Sequence, residues 1–265
     1  MGYRLVDPDG PSSIPETLRF DKLASTNDVV MRLGGKGAEE HTIVVAREQT
    51  GSRGGTGSWH APRGGLWLST LWEPQLDACS AARLTLAGAL GVREGIRRHT
   101  GIEPGLKWPN DLVVDGDKLG GVLVEGQVDG HDVEQAAIGI GINVNNPIAE
   151  LPEDVRDEAV ALHAIANEQI GLEELGDTVA ESLARARRLV HEPAELVRSF
   201  EASWTQKGAE VRIDAGHMVY EGEAVGIDSD GALLLDREGD RHRVEDPSLA
   251  KFVRIVGEGG DRGRT

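Results

Sequence analysis

Cysteine occurs once in 265 residues, at Cys79, which excludes a disulfide framework and a cysteine-based zinc site. Lysine is also scarce, with 6 against 22 arginines, and aromatic residues make up 4% of the chain. No apolar run approaches the roughly 18 residues that cross a bilayer, so no membrane partner is expected. The first residues, MGYRLVDPDGPSS, have neither the basic nor the apolar region of a secretion signal. Together these absences point to a cytoplasmic protein. Basic charge is lacking too: the formal net charge is −17. Non-specific nucleic-acid binding needs a cationic surface, so DNA is not an expected partner. Many carboxylates and few lysines suit a surface bathed in concentrated salt, where screening offsets self-repulsion.

The length suffices for one large domain and a small one, and 35 glycines predict many turns. "STNDVVMRLGG" (25–35) reads as a helix with a glycine stop, and "HTIVVARE" (41–48) as a buried strand. Residues 49–65, "QTGSRGGTGSWHAPRGG", are too glycine-rich for either and form a long loop, the kind that usually carries function in a compact domain. "GLWLSTLW" (65–72) returns as a strand, and 80–101 has helical spacing ending in basic residues and Gly101. Strands at Leu112–Asp115 and Gly121–Glu125 flank Asp115-Gly116, a strong hairpin signal. Residues 135–147 add a strand with glycine-spaced backbone. Leu175, Val179, Leu183, Ala186 and Val190 form the apolar stripe of a helix over 173–192, and a second helix runs to about Trp204. Beyond Gly208 the texture becomes short strands with turn residues between them, which suggests a small β-barrel or sandwich after a boundary near 205–208.

Several stretches suggest chemistry. Gly51, Gly54, Gly55 and Gly57 surround Arg53, so backbone N–H groups and a guanidinium could approach an anion. The loop is neither a phosphate-binding Walker loop nor a dinucleotide fingerprint; by composition it also fits a flexible surface loop. In "KWPNDLVVDGDKLGGVLVE" (107–125), Lys107 is fixed beside Trp108 and Pro109, and Lys118 follows the turn. A lysine held this way suits an oxygen whose charge grows during reaction, but taken alone it also fits a surface lysine beside a packed tryptophan. Ser25-Thr26-Asn27 also fits a plain helix cap, and Gly139-Ile140-Gly141-Ile142-Asn143 a tightly packed strand. His60, Cys79 and Glu125 have no triad or metal spacing.

The order of these pieces is more specific than any of them. Ser-Thr-Asn, Gln-Thr with an Arg/Gly loop ending in Trp, Lys-Trp-Pro-Asn-Asp, Lys-Leu-x-Gly-x-Leu-x-Glu and Gly-Ile-Gly-Ile-Asn follow one another over residues 20 to 146. This series resembles the biotin protein ligases, with a weaker likeness continuing through Gly226-Ile227-Asp228 and Gly231 to Leu235. The resemblance implies an α+β catalytic domain over 1–205, with a mixed sheet flanked by helices. It also implies a small SH3-like barrel over 206–257, and the charged tail 258–265 reads as disordered. The implied activity is formation of biotinyl-AMP from biotin, ATP and Mg2+. Biotin then passes to one lysine of a carboxylase's biotin carboxyl carrier domain. Ser25, Thr26, Asn27, Gln49, Arg53, Gly54, Gly55 and Gly121 match the biotin or adenylate site, and Arg53, Lys118, Gly139, Gly141 and Asn143 the nucleotide site. Lys107 matches the lysine implied to bridge the biotin carboxylate and the α-phosphate. It is the expected catalytic residue, offsetting repulsion between two anions.

Two departures stand out. The family loop reads Gly-Arg-Gly-Arg-x-Gly-Arg-x-Trp; here Arg53 keeps the first arginine, Gly55 replaces the second and the third is missing. A weaker, looser lid is expected. Only 24 residues precede Ser25, which leaves no room for the DNA-binding domain of some members, so a form without it is expected. Homodimers and monomers both occur in the family. Lipoate–protein ligases share the catalytic fold and are one alternative; a non-catalytic binder of biotin or nucleotide is another.

Overall fold

The computed structural model describes residues 3–5, 17–54, 57–129, 131–214, 218–244 and 252–255. The expected tail 258–265 and Gly55 lie outside these residues. The first part of the chain runs β1 (Tyr3–Leu5), β2 (Thr17–Phe20), α1 (Thr26–Gly34), β3 (Ile43–Ala46), β4 (Arg53–Gly54), β5 (Gly57–Ser58), β6 (Leu66–Trp72), β7 (Leu76–Asp77), α2 (Ala82–Thr100), β8 (Gly105–Lys107), β9 (Asp111–Val114), β10 (Asp117–Asp129) and β11 (Asp132–Ile142). Eight strands line up in the order β1-β2-β3-β6-β11-β10-β9-β8, and β7 pairs with β11. The β2–β3 pair is parallel and the others antiparallel, so the sheet is mixed.

Strand alternation sorts the apolar residues onto two faces. Val44, Leu71 and Ala137 face one way and pack with Val30 of α1. Ile43, Leu68, Trp72, Ile138 and Ile140 face the other way, toward the main core. There α2 lies beneath α5 (Leu172–Ala186) and α6 (Pro193–Glu201). The stripe over 173–192 is buried as expected, but the α-helix ends at Ala186 and a 3-10 turn covers Arg187–His191. Arg187 in that turn is drawn to Glu40 at 2.7 Å and to the carbonyl of Glu73 at 2.7 Å. Two short helices, α3 (Glu153–Arg156) and α4 (Leu162–Ala166), occupy a stretch to which the sequence reading gave no element.

Helix α2 packs through its glycines. A methyl group on Gly95 would stand 2.6 Å from the Cα of Val179, and one on Gly91 would stand 3.0 Å from the Cα of Leu183. These are backbone atoms of α5, so the helices would have to separate. Gly95→Ala therefore sets two effects against each other. Helix propensity favours alanine by about 1 kcal/mol, while overpacking costs about 1–3 kcal/mol. The expected result is a lower thermal midpoint; a rise would show that the helices are not locked by this contact.

The hairpin that links β9 and β10 turns at Asp115 (φ 53°) and Gly116 (φ 93°). Both lie in the left-handed region, as a tight two-residue turn of this hand requires. The C-terminal part forms a separate antiparallel sheet of β12 (Glu210–Asp214), β13 (Val219–Ile227), β14 (Leu233–Arg237), β15 (Asp240–Val244) and β16 (Phe252–Ile255). Its order is β15-β14-β13-β12-β16. This small antiparallel sheet is the C-terminal unit expected as an SH3-like barrel, and no β15–β16 pairing occurs among the described residues.

Candidate active site

The cavity lies between the N-terminus of α1, the loop from Gln49 to Trp59, and the facing strands β10 and β11. Ser25 occupies the cap position of α1, yet its side chain makes no capping hydrogen bond. Ser25, Thr26 and Asn27 are all buried and all line the cavity. The Thr26 amide donates to Gln49 Oε1 at 2.7 Å. Ser69 Oγ, from the middle of β6, lies 2.6 Å from both Thr26 Oγ1 and Asn27 Oδ1. Asn27 Nδ2 donates to Glu125 Oε2 at 2.8 Å. This polar floor explains one glycine of the Gly-Ile-Gly strand: a methyl group on Gly139 would stand 2.3 Å from Asn27 Oδ1. Gly141 similarly leaves room for the Trp59 indole, whose Nε1 would be 2.9 Å from a methyl there.

The glycine loop folds into the small β4–β5 pair, tied at its base by Ser52 Oγ donating to the Trp59 carbonyl at 2.6 Å. Arg53 reaches back across the cavity. Its Nη2 donates to Asp28 Oδ1 at 2.6 Å and to Glu125 Oε2 at 2.9 Å, and its Nε donates to Glu125 Oε1 at 3.0 Å. Glu125 first, then Asp28, hold the guanidinium pKa well above its ordinary value. Arg53 is 43% exposed, so these pairs orient the side chain more than they stabilise the fold.

Of the two lysines that the sequence singled out, the folded chain brings Lys118 into the cavity. Its Nζ is 2.6 Å from Asp111 Oδ1 and 5.5 Å from the centre of the Trp59 ring. Lys107, half-buried on β8, is not among the lining residues. It pairs in register with Asp111, however, which places the two side chains on the same face of the sheet. Gly54, Gly121, Gly139 and Gly141 line the cavity. A methyl on Gly121 would crowd Asp111 Oδ1 at 3.2 Å. Asn143 does not line it: Asn143 is buried and accepts from Asn146 Nδ2 at 3.0 Å, inside the turn that follows β11.

The sequence reading missed Asp28, Ser69, Asn110, Asp111 and Glu125 as site residues. Asn110 and Asp111 stand in the quoted Lys-Trp-Pro-Asn-Asp stretch. Ser69 carried a weaker signal, a hydroxyl inside an otherwise apolar strand, and buried polar groups need a partner. Among the described residues the buried Trp59 Nε1 has no hydrogen-bond partner. It is a donor at the cavity wall, suited to a ligand acceptor.

The Biotin/lipoate A/B protein ligase family matches residues 20–143, and the biotin protein ligase C-terminal domain matches residues 208–249. The bifunctional ligase/repressor BirA of Bacillus subtilis is 32% identical over 253 residues, covering 89% of this chain and 78% of its own. The chain belongs to the biotin protein ligase family. Another relative is the biotin–[acetyl-CoA-carboxylase] ligase of Paracoccus denitrificans, 30% identical, with 80% of this chain and 90% of that protein covered. In three dimensions the chain is similar to the Aquifex aeolicus biotin protein ligase solved with biotin and ATP. The TM-score is 0.77 at 28% identity, covering 90% of this chain and 98% of that one. That ligase family has the fold described above, a mixed sheet flanked by helices with a small antiparallel sheet after it. No helix among the described residues is long and apolar enough to cross a membrane.

Proposed function

We propose that the chain is a biotin protein ligase that joins biotin to a lysine in two steps at this cavity. In the first, a biotin carboxylate oxygen attacks the α-phosphorus of ATP. The bond to the bridging oxygen breaks, pyrophosphate leaves with that electron pair, and biotinyl-5′-AMP remains. In the second, the amine of a carrier lysine attacks the anhydride carbonyl. An amide forms, AMP leaves, and the amine gives up its proton. Neither step needs a protein nucleophile. The first needs a cation where carboxylate and α-phosphate meet, the second a cation beside the departing AMP, and Lys118 beside the polar floor of Thr26, Asn27 and Gln49 is the observation that carries this reading.

Lys118 is held by Asp111 and the Trp59 ring, so its position is set before the phosphates arrive. Lys107, on the same sheet face as Asp111, supplies a second cation. Magnesium would be held mainly by the phosphates of ATP. Asp111 is the carboxylate among the cavity-lining residues, and a single carboxylate fits an ion that keeps phosphate and water ligands. No group of three acidic, histidine or cysteine side chains suited to a metal occurs among the described residues. The partner we propose is the biotin carboxyl carrier domain of a biotin-dependent carboxylase.

Biotin-dependent exchange of labelled pyrophosphate into ATP tests the first step. A lipoate ligase would prefer lipoate in this assay, and a binding protein would show no exchange.

The loop carries its own prediction. Arg53 is the single arginine between Gln49 and Trp59 and is engaged by Asp28 and Glu125. Each charged hydrogen bond to an anion contributes about 1.5–3 kcal/mol. A site missing one releases the adenylate about 10–100-fold faster. Biotinyl-AMP that escapes then acylates lysines of unrelated proteins. With enzyme, biotin, ATP and a lysine-rich bystander, the native chain should label the bystander more than Gly55→Arg does at the same salt concentration. Equal labelling would show that the loop retains its product.

A further inference from the structure

We infer that Ser69 and Glu125 are positioning residues that fix which polar atoms of the cavity floor donate and which accept, and thereby select a ureido ring. This rests on the biotin ligase reading. Neither residue lines the cavity, and Ser69 is 0% exposed.

The direction of every hydrogen bond follows by elimination. Glu125 is a carboxylate held by the Arg53 guanidinium at 2.9 and 3.0 Å, and it accepts. The carbonyl of Leu123, 3.5 Å from the same Asn27 atom, also only accepts. The Asn27 atom facing them is therefore Nδ2, and Oδ1 faces Ser69. Two oxygens 2.6 Å apart without a proton between them repel, so Ser69 donates its single proton to Asn27 Oδ1. The same argument applies to the 2.6 Å contact between Ser69 Oγ and Thr26 Oγ1. With the serine proton already committed, Thr26 must donate, and its remaining lone pair is an acceptor facing the cavity. On the other side, the Thr26 amide turns Oε1 of Gln49 toward itself. Gln49 Nε2, with no partner among the described residues, is left as a donor. The floor thus presents one acceptor and one donor side by side. A cyclic urea offers N–H and C=O groups in the complementary sense; a dithiolane ring offers neither.

The carboxylate also connects this floor to the loop, because Arg53 and Asn27 share Glu125 Oε2. In Glu125→Gln the new amide can donate to Asn27 and reverse the chain. In Ser69→Ala the link is absent and Thr26 is free to turn its proton toward the cavity.

The experiment measures pyrophosphate exchange for the native chain, Ser69→Ala and Glu125→Gln, with biotin and with biotin methylated on a ureido nitrogen. Each variant should raise the biotin KM about tenfold, the effect of one lost hydrogen bond. For Ser69→Ala, which leaves the Arg53–Glu125 pair intact, the maximal rate and the ATP KM should hold, and for both variants the preference for biotin over its methylated form should shrink by a similar factor. Ser69→Thr, which keeps the hydroxyl, should restore the preference. An unchanged biotin KM, an unchanged preference, or, for Ser69→Ala, equal losses for biotin and ATP would overturn the assignment. If Ser69→Ala fails to fold, Glu125→Gln, whose side chain is 36% exposed, decides alone. Absence of biotin-dependent exchange in the native chain would instead overturn the ligase reading itself.

Discussion

Replacing Lys118 with alanine should slow adenylate formation by about 10²–10³-fold, the loss typical of removing one preorganised charge-stabilising group. The lysine faces the cavity and is fixed by Asp111 at 2.6 Å, so its charge needs no reorganisation when two anions are brought together. Its loss should fall on the rate constant more than on the biotin KM, because the interaction strengthens as charge develops. The fold should persist. Lys118 is 39% exposed and its partner 22%, and partly exposed pairs contribute about 0–1 kcal/mol. Lys107→Ala is the necessary comparison, since the sequence pattern alone favoured that lysine. On the same sheet face as Asp111, it should also slow adenylation when removed. Single-turnover adenylation with both variants separates them. Equal losses would give Lys107 a full share of the chemistry, and a fully active Lys118→Ala would remove Lys118 from it.

Ending the chain after Thr205 should abolish ligation and lower the thermal midpoint, because the C-terminal sheet completes the core beside the active-site motif. Val211, Ile213, Ala224, Leu233 and Leu235 belong to the same apolar cluster as Leu86, Leu106 and Trp108. The indole N–H of Trp108, fully buried next to Lys107, donates to the Gly231 carbonyl at 3.1 Å. Without the sheet that donor loses its partner, at a cost of about 1–3 kcal/mol if it stays buried. Arg83 is anchored on the same turn, to Asp230 Oδ1 at 2.7 Å and the Ser229 carbonyl at 2.7 Å. Gly231→Val tests the docking within the full chain. Gly231 has φ 92°, and a methyl there would stand 3.1 Å from Ala82 Cβ, so a branched side chain is both strained and obstructed. This variant should lose pyrophosphate exchange along with stability. A fully active chain ending at Thr205 would show that the sheet is dispensable for chemistry.

Local periodicity and ordered motifs determined much of this protein in advance. The stripe of α5, the glycine stop of α2 and the Asp115-Gly116 turn depend on neighbours a few residues away, so they are legible along the chain. The motif order likewise pointed to the ligase family and to Thr26, Gln49, Arg53 and Lys118. Tertiary structure alone decided which groups meet. Ser69 and Asn27 are 42 residues apart and Asn27 and Glu125 are 98 apart, yet side-chain alternation on β6 and β10 turns Ser69 and Glu125 toward the start of α1, where Asn27 meets both. Strand pairing likewise gathers Lys118 and Lys107 around Asp111, one by a salt bridge and one by register, a meeting the lysine-rich stretch does not itself state. Asn143, singled out by its place after Gly-Ile-Gly-Ile, is spent inside a turn because Asn146 reaches it first. A sequence states which hydrogen-bonding groups exist; burial, by removing water as a partner, decides which must find one another.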